Sequence, residues 1–160
     1  MEMIVWRLRC RILCIFLRLY YNTVMRYMGI DYGLRRIGVA VADGETGIAI
    51  ARSTIVRQDD AQAIREAAAA IRDEKIDAVI VGIALDSAGR NTAMSDAARV
   101  FGEALGTGAG VPVFFENEML TSRMAHGAGM RGDAIDASSA AIILQSFLDK
   151  NPHHRTKIAG

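Results

Sequence analysis

Three segments rich in β-forming residues crowd into Tyr27–Val56, and the turns between them are too short for anything but a reversal of direction. Tyr27–Asp31 (YMGID) ends at the turn signal Asp31-Tyr32-Gly33. Arg36–Ala42 (RIGVAVA) alternates and then breaks at Asp43-Gly44, and Gly47–Val56 (GIAIARSTIV) supplies the third run. A parallel pair needs a crossover of about a dozen residues or more, so strands this close in sequence must form an antiparallel meander.

Beyond Val56 the periodicity changes. Ala61, Ile64, Ala68 and Ile71 fall at helical spacing within residues 59–75, with Asp59 or Asp60 as the capping residue. Asp77–Gly82 (DAVIVG) is the near-continuous apolar run of a strand covered on both faces. Asn91–Leu105 predicts a second helix, with Met94, Ala97, Ala98, Phe101 and Leu105 on one face and Gly106 at its end. Val111–Phe115 (VPVFF) predicts a fifth strand and Thr121–Gly127 a short helix. A last helix opens at Asp133 or Asp136 and runs to about Asp149. A meander followed by βα units predicts an α/β domain over residues 25–150, a five-stranded mixed sheet flanked by helices on both faces. Residues 151–160, with Pro152, His153 and His154, read as a flexible tail.

Charge narrows the partners. The formal net charge over the 160 residues is only +1. Affinity for nucleic acid by charge alone is therefore not expected, and any such role must rest on a local site. Residues 1–24 hold four arginines against one glutamate, which leaves the rest slightly acidic. Their longest uncharged apolar run, Ile12–Leu17, is six residues. A spanning helix needs roughly 20, and no small-residue cleavage site follows as a signal peptide requires. The segment reads as an N-terminal extension, disordered or created by an early start codon, with an arginine-bearing surface helix or a presequence as alternatives. Cys10 and Cys14 both lie within it, so the core has neither a disulfide framework nor a thiolate zinc site.

Three carboxylates stand where chemistry is done in such a sheet. Asp31 ends the first strand, followed at once by Tyr32-Gly33, where a backbone approach to phosphate or metal is open. An aspartate capping a hairpin turn is the plain alternative. Glu118 follows the fifth strand, whose carboxyl end shares an edge with that of the first, although it also reads as a solvated loop acid. Asp136 precedes the apolar stretch Ala140–Gln145 and doubles as a first-turn acid favoured by the helix dipole. Acids converging from two strand ends and a helix start repel one another, and a divalent cation removes that cost. Magnesium or manganese, with oxygen ligands completed by substrate phosphate, suits such a set. His126 is the one histidine outside the tail and has no neighbour in sequence to make it a base. No Walker-type phosphate loop is present.

The segment Gly29–Gly38 around Asp31, the run Val81–Leu85, the stretch Glu118-Met119-Leu120-Thr121-Ser122 and the helix from Ile135-Asp136 through Gln145 occur in an order that resembles the YqgF family of pre-16S rRNA nucleases, formerly described as resolvase-like. The resemblance covers about residues 25–149. It implies a ribonuclease H-like fold, a cytoplasmic bacterial protein, processing of the 5′ end of 16S ribosomal RNA, and an acidic site of Asp31, Glu118 and Asp136. Met25 matches the family's start. The chain departs from the family where Asn117-Glu118-Met119 replaces Asp-Glu-Arg, where Ala84 replaces a frequent proline, and where Met130–Asp133 replaces a lysine-rich loop. Arg35, Arg36, Arg90, Arg123 and Arg131 are the arginines left to meet phosphate.

Three functions fit this reading to different degrees. The first is a metal-dependent nuclease acting on structured RNA or on branched DNA, as a Holliday junction resolvase does. The second is a domain that keeps the fold and binds RNA or the ribosome without cleaving. A sugar-kinase or actin-like ATPase shares the Asp-x-Gly start but needs two such domains, and this chain has length for one.

Overall fold

The computed structural model describes residues 24–117 and 133–152, with side chains at 133 and 134 excepted. The described chain forms β1 (Arg26–Tyr32), β2 (Arg36–Asp43), β3 (Ile50–Val56), α1 (Asp60–Asp73), β4 (Ala78–Ile83), α2 (Ala93–Ala109), β5 (Val113–Asn117) and α3 (Asp133–Lys150). The sheet order is β3-β2-β1-β4-β5. β1, β2 and β3 form the antiparallel meander, and β4 and β5 add in parallel on the other side of β1. The five-stranded mixed sheet with helices on both faces is the architecture expected. The short helix over 121–127 lies outside the described residues.

Alternation along the strands divides the interior in two. Met28, Ile30, Ile37, Val39, Val79 and Val81 point to one face, where α1 and α2 cover them with Ala63, Ala67, Ile71, Ala98, Phe101 and Leu105. Tyr27, Ala40, Ala42, Ala78 and Ile80 point to the other, which α3 covers with Ala140, Ile143, Leu144, Phe147 and Leu148. A strand buried on both sides must be apolar at every position, and all six residues of β4 are buried.

Caps set most of the helix boundaries. Asp59 accepts from the Gln62 N–H at 2.7 Å and starts α1. Thr92 and Ser95 form a reciprocal capping box at the start of α2. α2 runs past Gly106 and ends at Gly110. Gly106 is a packing residue, because a side chain there would run into Val113 and the Val111 carbonyl. β5 begins two residues later than the apolar run, after Pro112, whose carbonyl accepts from the Val79 N–H at 3.0 Å. Among the described residues, no helix is long and apolar enough to cross a membrane.

Candidate active site

Asp31 is the sixth residue of β1 and shares its face with Tyr27 and Gly29, toward α3. Its cross-strand partner is Gly38. That pairing decides the geometry. A Cβ at position 38 would overlap the Asp136 carbonyl oxygen, and one at Gly29 would stand 2.7 Å from the Ala140 carbonyl and 2.8 Å from Leu144 Cβ. Two positions without side chains therefore let the first turns of α3 lie directly on β1 and β2. Asp136 comes down beside Asp31 through that gap.

The electrostatics follow from the approach. The Asp31 carboxyl is raised from 3.8 to about 6, first by burial and then by the neighbouring Asp136 charge, against a hydrogen bond from the Ser139 hydroxyl that acts in the opposite direction. Asp136 Oδ2 is buried and has no hydrogen-bond donor among the described residues. Its cationic neighbour among them is Arg36, whose Nη1 stands 3.8 Å away, within ionic reach but beyond a hydrogen bond.

The turn that carries Asp31 and Arg36 is braced from the opposite face. Gly33 N–H donates to the Arg36 carbonyl at 3.0 Å, and Arg57 donates from its backbone N–H to the Arg35 carbonyl at 2.9 Å and from Nη1 to the Leu34 carbonyl at 2.7 Å. Arg57 Nε and the Tyr32 hydroxyl both donate to Asp60 Oδ1, at 2.7 and 3.0 Å, while the guanidinium sits 5.2 Å over the Tyr32 ring. The hydrogen bond from Arg57 holds the Asp60 carboxyl below its ordinary range, so the brace stays ionised.

Of the three acids expected from the sequence, the fold brings Asp31 and Asp136 together. Glu118 lies outside the described residues, one position beyond the end of β5. His126, Arg123 and Arg131 also lie outside them. Asp133, the alternative acid at the helix start, is the first residue of α3. Arg90 is held by Asp86 at 2.8 Å in an exposed pair. Among the described residues, no group of three or more His, Cys, Asp or Glu side chains converges as a metal cage.

Sequence reasoning missed Ser139 and Glu116. Ser139 follows Asp136 by three residues, the spacing that puts both on one helix face, so helical geometry offered a signal. Glu116 is nearly fully buried, accepts from the Ser146 hydroxyl at 2.9 Å and pairs with Lys150. It aligns with Gly82, the neighbour of Val81 that pairs with Ile30, and so sits two strands away from β1. Its Oε1 is engaged by α3, which makes it an anchor for the helix.

The comparisons with known proteins bear on the family and on the fold of this β3-β2-β1-β4-β5 sheet. The sequence profile of the RuvX family, described as Holliday junction resolvase, matches residues 25–150. The chain belongs to the RuvX family. This is the family whose resemblance was noted under the name YqgF. A RuvX relative of Pseudomonas savastanoi pv. phaseolicola, named "Putative pre-16S rRNA nuclease", is 37% identical over 134 residues, 78% of this chain and 92% of that protein. A relative of the same name in Nitratidesulfovibrio vulgaris is 36% identical over 140 residues, 82% of this chain and 99% of that one. Among solved structures, Thermus thermophilus RuvC in complex with a Holliday junction substrate superposes with a TM-score of 0.55 at 18% identity, covering 83% of this chain and 98% of that chain. The likeness to RuvC shows that the RuvX chain shares its ribonuclease H-like fold.

Proposed function

We propose that this chain is a divalent-metal-dependent nuclease of the bacterial cytoplasm that processes the 5′ end of pre-16S ribosomal RNA, with Asp31 and Asp136 as the core of its site. One observation carries the reading. Two carboxylates face each other at the carboxyl end of the central strand, and one of their oxygens is buried with no donor among the described residues. A buried lone pair without a partner is costly unless something fills it, and hard oxygen donors fit magnesium or manganese. Glu118, carried over from the family resemblance, is the proposed third ligand, and substrate phosphate completes the shell.

A bound ion supplies charge neutralisation for the attacking and leaving oxygens of phosphodiester cleavage. The chain's own residues do the rest. β1 holds the Asp31 backbone by its pairing with Gly38 of β2, one residue past the last pair with β4. Ser139 fixes its carboxylate, and the Arg57 brace keeps the adjoining turn in place. The names borne by the curated relatives support the RNA substrate. The family's description supports a second reading, resolution of branched DNA.

Cleavage of precursor 16S RNA and of a four-way DNA junction, each with magnesium and with manganese, separates the two. The expected result is metal-dependent cut RNA from the wild type and none from Asp31→Asn. Equal activity in the two proteins removes Asp31 from the mechanism. Binding of RNA without cleavage under any metal favours a non-catalytic domain.

A further inference from the structure

We infer that Arg36 is the built-in counter-ion of the acidic site, a cation that balances Asp136 beside Asp31 until a divalent ion displaces it. The inference rests on the metal reading proposed for this site and adds a determinant of how tightly the metal is held. Arg36 begins β2 and lies two residues before Gly38, which places both on the face toward α3. With no side chain at 38 to intervene, the guanidinium reaches over that gap to Asp136.

The contact is of an unusual kind. At 3.8 Å, Nη1 is within ionic reach of the carboxylate, yet Oδ2 receives no hydrogen bond from it or from any other donor among the described residues. Charge is balanced while the lone pair stays unused. An arriving metal ion thus takes the lone pair without breaking a hydrogen bond, but it must enter the field of a positive charge a few ångströms away and push it aside. Like charges at that range oppose one another. The Arg36 side chain is 45% exposed, so water can receive the displaced guanidinium.

Two effects of opposite sign follow from removing the charge. Arg36→Gln leaves Asp136 without its counter-charge beside Asp31, so the metal-free protein melts at a lower temperature. The same variant binds manganese more tightly, by roughly two- to fivefold, in line with a half-exposed ion pair. A residue that merely supported the fold would weaken both.

The test uses the full chain, stripped of metal and free of nucleic acid, titrated with manganese by calorimetry and by melting temperature. Arg35→Gln, which removes a charge from the same turn, is the control and is expected to change affinity less than about twofold. Arg36→Lys keeps the charge and falls between wild type and Arg36→Gln, and it remains readable if the glutamine variant does not fold. Unchanged or weaker manganese binding in the folded Arg36 variants overturns the inference. So does equal tightening in Arg35→Gln, or no binding to any of the proteins. Normal manganese behaviour with no RNA cleavage overturns the nuclease reading and leaves the counter-ion standing.

Discussion

The two faces of the sheet are built on different rules. Toward α1 and α2 the strands present Met28, Ile30, Ile37, Val39, Val79 and Val81, large side chains that two helices cover with apolar residues of their own. Toward α3 they present Gly29, Gly38, Ala40, Ala42 and Ala78 beside the larger Tyr27 and Ile80, and at the glycines a single helix comes close enough for backbone to approach backbone. The first face buries apolar area. The second trades that area for proximity, and proximity is what sets Asp136 against Asp31. The molecule thus separates what holds it together from what it works with, on opposite sides of the same five strands.

The sharpest way to break the first face is Phe101→Ala. Phe101 is fully buried and packs 4.9 Å from the Tyr32 ring. Truncating it is expected to cost about 3–5 kcal/mol in chemical denaturation. Manganese affinity, measured where the variant is still folded, should stay within about twofold of wild type, since Phe101 reaches the Asp31 turn only through Tyr32, whose hydroxyl stays tied to Asp60. A large loss of metal affinity in the folded variant would show that the faces are coupled.

On the other face the smallest possible addition should do the reverse. Gly38→Ala places a methyl where the Asp136 carbonyl stands, so α3 must shift. Overpacking of this kind costs about 1–3 kcal/mol and more when backbone is the obstacle. The decisive readout is the site. Nuclease activity and manganese binding should fall by more than about tenfold, because a displacement of roughly 1 Å is enough to spoil a catalytic geometry. That is a larger functional loss than Phe101→Ala gives, for a smaller change in stability. Retained metal binding would mean that the close crossing at Gly38 does not form the site.

The smallest effect sharpens the comparison through pH. The Asp31 carboxyl titrates near 6 in the folded protein, against 3.8 for an aspartate free of such surroundings. A raised acid binds its proton more tightly when folded, so its contribution to stability is complete below pH 3.8 and is lost as pH rises through about 6. Asp31→Asn should therefore be the more stable protein at pH 8 in chelator, by up to about 3 kcal/mol, and equal to wild type near pH 4. A variant less stable than wild type at pH 8 would show that the ionised carboxylate supports the fold.

Much of this was legible in the chain. The meander follows from alternation and short turns between Tyr27 and Val56, and the buried β4 from the unbroken DAVIVG run. Asp31 and Asp136 were both recognisable, one from a strand end and one from a helix start. What stayed hidden depends on contacts across the fold. Gly38 reads as a permissive strand residue until a helix about a hundred positions later comes to rest on it. Gly106 reads as a helix stop because its packing partner Val113 lies on another element. Glu116 looks like a solvated strand acid, since Ser146 and Lys150, which receive it, follow 30 and 34 residues on.

One consequence of α3 concerns the order in which the molecule is made. All five strands of the sheet and both helices of the opposite face precede Asp133 in the chain. A nascent chain emerging from the ribosome can therefore complete its sheet while Tyr27, Ile80 and the alanines of the second face still meet water. Asp31 at that stage has no Asp136 beside it. The acidic pair comes into existence only when α3 settles on the sheet. A protein proposed to cut ribosomal RNA thus has no paired carboxylates until α3 has docked on the finished sheet.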